Sequence, residues 1–291
     1  MKNLALATVF CAALSTPAVA QTPDSAQADT VPAGTASPHT LSGNLGLFSS
    51  YRFRGIDQTF GKPALQGGFD YAHASGFYVG NWNSNVSSGA GFPDGNLEMD
   101  FYGGYKAAFG DFAIDIGAIY YYYPGSDASG LGVGANSGAV NNKELYLGGS
   151  WKFLSLKYFY SMGDYFSLRG VDKFGLSTGK NTHGSQYLDL SANYDLGQGW
   201  GVNAHLGRLN LKNVYNGDYT DWKVGVTKDV SGWLFALSYI DTNAAGNCGA
   251  ASYQPYCFTN SNSDSGGVIS FGSHTKDAGR ALAVLSVSRT F

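Results

Sequence analysis

From residue 44 onward the chain repeats one pattern twelve times: short stretches in which apolar and polar side chains alternate. "LEMDFYGGYKAAF" sets Leu97, Met99, Phe101, Tyr105 and Phe109 against Glu98, Asp100, Tyr102 and Lys106. "KELYLGGSWKF" opposes Leu145, Leu147, Trp151 and Phe153 to Glu144, Tyr146, Ser150 and Lys152. In "QYLDLSANYDL" Asp189 faces away from Leu188 and Leu190, and in "TDWKVGVTKDV" Asp221 and Lys223 face away from Trp222 and Val224. A period of two puts successive side chains on opposite faces of a sheet, so each segment carries one greasy face and one polar face.

Which face meets water is decided by composition. The chain of 291 residues is 44% hydrophobic and only 13% charged, so its surface is not wholly aqueous. Its 41 Gly, 20 Tyr and 18 Phe favour strands and turns over helices. The net charge of −3 excludes a strongly basic nucleic-acid binder. No segment after the N-terminus approaches the roughly 18 to 20 apolar residues of a membrane helix. If the chain crosses a membrane, it crosses as strands.

The opening "MKNLALATVFCAALSTPAVA" has the positive start, apolar stretch and Ala18-Val19-Ala20 site of a cleaved signal peptide, residues 1–20, with Cys11 discarded. Residues 21–43 are rich in Pro, Ala, Thr and Ser without periodicity and read as a flexible periplasmic tail. The remainder, 44–291, reads as one barrel. Strands are expected near 44–55, 62–72, 76–86, 96–109, 111–123, 142–153, 154–164, 185–195, 199–209, 219–229, 231–242 and 279–291. Tight connections alternate with long ones, and Pro63, Pro93, Pro124 and Pro255 all fall in the long ones or at their edges. Twelve strands, short turns at one end and long loops at the other imply an all-β, transmembrane, antiparallel up-and-down barrel.

Closure explains the terminal "ALAVLSVSRTF". In hydrocarbon every backbone donor and acceptor must be paired within the protein, so the last strand is expected to pair with the first. Phe291, Arg289, Val287, Leu285 and Ala283 would then face lipid, with Phe291 in an aromatic girdle and the Arg289 stem carrying its charge to the headgroups. The same strand is the expected contact for barrel-assembly machinery.

The segments "GLFSSYRFRGIDQTFGKPALQGGFDYAHASGFYVGNW", "LEMDFYGGYKAAFGDFAIDIGAIYYYYPG", "DWKVGVTKDVSGWLFALSYIDTN" and "SVSRTF" resemble the TorF family of porin-like proteins of Gram-negative bacteria. "YRFRG" and "GGFDYAH" are the most specific parts, and the loop 243–278 has no counterpart. The resemblance implies an outer-membrane barrel of pore type with no established substrate.

No nucleophile motif, zinc motif or phosphate loop is present, so no cofactor and no catalytic role are expected. His39 lies in the tail, His73 in a turn, and His183 and His274 in loops; His205, inward on a strand, reads as a structural hydrogen-bonder. Tyr120 and Tyr122 belong to the lipid-side girdle, leaving Tyr121 and Tyr123 to meet solute. Alternation places Arg52 and Arg54 inward late in the first strand, with Tyr51 and Phe53 on the lipid side. Glu98, Asp100, Glu144 and Asp189 would face these arginines and Lys223 across one mouth, with Asp221 diluting the basic arc. These eight residues are the candidate pore lining. A 12-stranded barrel has a backbone diameter of roughly 24 Å, leaving about 10 Å after side chains. In an exported chain, Cys248 and Cys257 favour a disulfide over free thiols or a metal site. The reading is a channel in outer-membrane lipid for small hydrophilic solutes. Its alternatives are a non-conducting structural or surface-interaction barrel and, less favoured, a lipid-modifying enzyme.

Overall fold

The computed structural model describes residues 37–131, 136–259 and 275–291; the expected signal peptide and the tail up to residue 36 lie outside them. Twelve long strands follow one another: β1 (His39–Phe48), β2 (Ala64–His73), β3 (Phe77–Asn85), β4 (Leu97–Phe109), β5 (Phe112–Tyr122) and β6 (Asn141–Trp151). The second half is β7 (Leu154–Ser161), β8 (Gln186–Gly197), β9 (Trp200–Asn210), β10 (Tyr219–Val230), β11 (Trp233–Thr242) and β12 (Leu282–Thr290).

Each strand pairs antiparallel with its neighbours in the chain, and β12 closes the barrel on β1. That seam runs from Asn44 opposite Thr290 to Phe48 opposite Ser286. Beyond it, the Gly43 N–H donates to the Phe291 carbonyl at 3.1 Å, and the Phe291 N–H donates to the Gly43 carbonyl at 2.8 Å. The sheet therefore has no free edge, as a lipid environment requires.

Alternation decides which face points out. Leu147 is 59% exposed and Ile116 55%, whereas their neighbours Tyr146 and Asp115 are buried inside. Leu65, Phe69, Leu188, Leu206, Val224, Phe235 and Leu285 continue this apolar band around the barrel. A closed sheet with an apolar outer wall is a transmembrane barrel. Aromatic pairs mark the band's margins: Phe77 with Tyr105, Phe112 with Trp151 and Phe153 with Tyr194 at the short-turn end, and Trp222 with Tyr239 toward the other. Arg289 lies over the rings of Trp233 and Phe291 at 5.4 and 5.5 Å, which keeps its charge at the margin.

The structure differs from the sequence reading at β1. The strand begins at His39, inside the stretch read as tail, because Thr40 to Phe48 pair in register with β2. It stops at Phe48 and not near residue 55. The long loops also hold short hairpins that alternation did not reveal, Arg169–Val171 with Ser177–Asn181 and Cys257–Thr259 with Thr275–Asp277.

Candidate functional site

Residues 49–63, between β1 and β2, turn into the barrel and plug its long-loop half. A two-residue strand, Arg52–Phe53, pairs with Ile56–Asp57 around a tight turn. Positive φ at Arg54 (49°) and Gly55 (79°) makes that turn, and a Cβ on Gly55 would collide with the side chains of Asp221 and Thr242. Tyr51, Phe53 and Ile56 are 0%, 6% and 4% exposed. They lie inside and not on the lipid side, since the segment leaves the wall before reaching them. Tyr51 packs edge-on against Trp82 at 5.5 Å, and Phe53 against Tyr121 at 5.4 Å and Phe166 at 5.7 Å. Burying each such side chain contributes about 1.5–3 kcal/mol, so the plug is held as a small hydrophobic core.

The arginines belong to this plug, which corrects their placement on the first strand. Arg54 makes a bidentate pair with Glu144 on β6, Nη1 to Oε1 at 3.0 Å and Nη2 to Oε2 at 2.7 Å. Its guanidinium also sits 4.2 Å from the Tyr187 ring centre, 4.8 Å from that of Phe53 and 5.0 Å from that of Phe159. The Tyr219 hydroxyl donates to the Arg54 carbonyl at 2.9 Å. Arg52 Nη1 donates to the carbonyls of Gly55, Ala278 and Arg280, and Nη2 lies 4.0 Å from Asp57. Opposed charges across an open mouth are therefore not what the plug leaves. Arg54 and Glu144 are in contact, and Arg52 is occupied by backbone oxygens.

All eight candidate lining residues project inside, and seven are buried there, with Lys223 half-buried. Glu98 and Asp100 are each 0% exposed; Glu98 accepts a hydrogen bond from Tyr123 at 2.9 Å. Tyr121 and Tyr123 do turn inward while Tyr120 and Tyr122 stack outside at 5.9 Å, but both inward rings are buried and meet protein, not solute. Tyr123 stacks on Phe92 at 4.0 Å.

Below the plug the interior is a polar network. Lys157 Nζ lies 2.8 Å from Asp115, and the Tyr78 hydroxyl donates to Asp115 at 2.6 Å while meeting the Tyr146 hydroxyl. Asp115 and Lys157 were absent from the candidate set, although the alternation that found Glu144 and Asp189 also turns them inward. His205 bridges two acids, Nδ1 to Asp189 at 3.2 Å and Nε2 to Asp221 at 2.9 Å. Asp221 is thus bound up with His205 and with the Tyr187 hydroxyl at 2.9 Å. Gly207 is required beside them, because any side chain there would strike the Tyr187 hydroxyl. Toward the short-turn end the lining becomes polar and half-buried: Ser42, Asp70, Lys106, Ser150, Ser191 and Thr227.

Ser191 Oγ lies 3.2 Å from His205 Nδ1, and with Asp221 the three residue types match a hydrolytic triad. The hydroxyl instead donates to Asp189 at 2.6 Å, so its proton is directed away from the imidazole. Among the described residues no group of three or more His, Cys, Asp or Glu side chains is arranged to hold a metal ion. In the last long loop Cys248 and Cys257 form a disulfide, Cα to Cα 5.2 Å.

No curated protein matches the sequence. Solved structures with a similar outline include the KdgM porin, 11% identical with TM-score 0.46, over 86% of this chain and 98% of that one. The NanC porin is 10% identical with TM-score 0.47, over 87% and 99%. The toluene transporter TodX of P. putida is 11% identical with TM-score 0.41, over 88% and 91%. Likenesses this distant identify no solute. A family model described as "bacterial protein of unknown function (Gcw_chp)" matches residues 32–263, and the chain belongs to that family.

Proposed function

We propose that this protein is an outer-membrane channel of porin type for small hydrophilic solutes, closed in the conformation described here by the segment 49–63. The observation that carries this reading is the division of the interior. A polar, half-buried lining at the short-turn end meets a seal centred on the loop 49–63, which packs against Phe92, Tyr165 and Phe166 of other long loops and is held by side-chain contacts and by main-chain bonds from Asp57 to Ala278 and from Ser87 to Gln58, and, beyond Ser49, not by backbone pairing with the wall strands. The resemblance of the "YRFRG" and "GGFDYAH" runs to TorF-family porins supports the same reading. On this proposal the chain is exported by cleavage after residue 20, is assembled through β12 by barrel-assembly machinery and works without a cofactor. Passage would follow the solute gradient once the plug leaves the lumen.

The density of the seal also favours a second reading, a non-conducting structural or surface-interaction barrel, because Tyr51, Phe53 and Ile56 pack as a protein core does. Liposome swelling separates the two. Vesicles carrying refolded protein in which residues 51–60 are replaced by a short Gly-Ser linker should admit small sugars faster than vesicles carrying the intact chain. Equal, background rates from two folded barrels would favour the structural role.

A further inference from the structure

The apolar outer wall is interrupted on β3. That strand presents Phe77 and Val79 outward and then three asparagines, Asn81, Asn83 and Asn85, while Trp82 and Ser84 between them are buried inside. Asn81 is the middle residue of the nine-residue strand. At about 3.3 Å per residue and a tilt near 40° it stands about 10 Å above Phe77, within an apolar band about 25 Å tall. Cross-strand pairing sets Asn81 between Phe69 and Phe101, 67% and 44% exposed, and Asn83 between Gly67 and Met99. Among the described residues, the outward amide and charged side chains of the other wall strands stand within two residues of a strand end, as Lys143, Gln186, Arg208, Lys228, Asp241 and Arg289 do.

Part of this asparagine line is satisfied within the chain. Asn85 accepts from the Leu65 N–H at 2.7 Å and donates to the Pro63 carbonyl at 3.2 Å. Asn81 Nδ2 donates to the Asp100 carbonyl at 2.9 Å, and Asn83 Nδ2 donates to Asn81 Oδ1 at 2.7 Å and to the Gly67 carbonyl at 3.3 Å. An acceptor, Asn83 Oδ1, and a donor, the second hydrogen of Asn81 Nδ2, have no partner among the described residues. Hydrocarbon offers neither. Beside the line the wall is hollowed: Tyr71, Phe77, Val79, Tyr105 and Ile116 surround Gly103 in an apolar recess of about 450 Å3. The exposed ring of Phe69 stands across the line from Gly103. Because cross-strand rows climb the wall as the strands tilt, Phe69 on β2 and Gly103 on β4 lie at nearly the same depth.

We propose that this face of β2, β3 and β4 is the contact between two copies of the chain in the membrane. Both barrels insert in the same sense, so the two-fold axis lies along the membrane normal, beside Asn81 and Asn83. Such an axis gives each unused acceptor a donor from the other copy and sets Phe69 of each copy at the recess of the other. The occupant is a second copy because both halves of the contact, donor with acceptor and ring with recess, are on one face, as a two-fold contact requires. Lipid tails fill a recess but supply no hydrogen bond. The contact stands whether or not the barrel conducts.

The test is association of refolded, fluorescently labelled barrels in vesicles, counted by single-molecule photobleaching over a range of protein-to-lipid ratios. The wild type should pass from one copy to two as the ratio rises. Asn81→Leu with Asn83→Leu should remain folded by heat-modifiable migration and associate about tenfold or more weakly, the loss expected for two hydrogen bonds within a membrane. Phe69→Ala should also weaken association, and it carries the test if the double variant does not fold. Met99→Cys, beside Asn83, should be joined to its counterpart by a short bis-maleimide, whereas Leu206→Cys, six strands away on β9 and 51% exposed, should not. A wild type that stays single at every ratio would overturn the proposal. So would association unchanged in the folded variants, or equal cross-linking at the two cysteine positions.

Discussion

Replacing Glu144 by Gln keeps the shape of the clasp and removes its charge. Arg54 would then be a buried guanidinium, 5% exposed, facing a neutral amide where it now makes two hydrogen bonds of 3.0 and 2.7 Å. Taking one partner from a buried pair costs about 3–5 kcal/mol, mostly for the charge left behind. Here the lower end is expected, because the rings of Phe53, Phe159 and Tyr187 stay within 4.2 to 5.0 Å of the guanidinium, each worth about 0.5–2 kcal/mol to a cation. Glu144→Gln should therefore lose about 3 kcal/mol. Arg54→Met should lose a similar amount, since it leaves Glu144 with only the Tyr121 and Ser161 hydroxyls, both at 3.3 Å. The double variant should cost less than the sum, with a coupling energy of about 2 kcal/mol or more. Urea unfolding of the four proteins in vesicles, followed by tryptophan fluorescence, measures the cycle. A coupling below about 1 kcal/mol would show that the plug is held by packing alone and that the clasp contributes nothing specific.

Removing Phe291 should lower outer-membrane assembly while leaving export intact, because its backbone makes the last two hydrogen bonds of the β1–β12 seam, at 3.1 and 2.8 Å; normal levels of the truncated protein would count against the closure argument. Cys248 and Cys257 should resist thiol reagents until reduced, and reduction should leave heat-modifiable migration unchanged, since the bond spans 9 residues within a loop outside the barrel strands; labelling before reduction would refute this. Leu147→Arg, at an outward position 59% exposed in the middle of β6, should cost about 2–4 kcal/mol in a bilayer, against about 0–1 for a cation at the margin such as Arg289; equal unfolding midpoints for Leu147→Arg and wild type would contradict the assignment of the lipid face.

Alternation made the wall legible. The face of Leu145, Leu147, Tyr120, Tyr122, Leu285 and Phe291 follows from counting by two, and so does the inward direction of Glu98, Glu144, Asp189 and Asp221. The plug was not legible, for a physical reason. "SSYRFRG" keeps the alternation of a strand because part of it is extended, as the Arg52–Phe53 and Ile56–Asp57 hairpin, but a period of two says nothing about whether an extended segment belongs to the wall or has left it. The turn falls at Arg54 and Gly55, inside the stretch read as strand. Once the segment folds inward, Tyr51 and Phe53 change from lipid-facing to core, and Arg54 changes from an open charge to a partner of Glu144. Contacts across a lumen join residues 90 positions apart, as in Arg54 to Glu144, and no local pattern encodes them. The acids could be placed inside from sequence, but the partner of Glu144 depended on where the plug went.

The central claim is that the segment 49–63 closes the barrel. Planar-bilayer recording tests it most directly, comparing the intact refolded protein with the variant in which a Gly-Ser linker replaces residues 51–60. The account predicts rare, brief openings for the intact chain and long, stepwise currents for the variant, both from barrels shown to be folded by heat-modifiable migration. A silent bilayer from a folded variant would contradict the account, because the lumen would then be blocked without the plug.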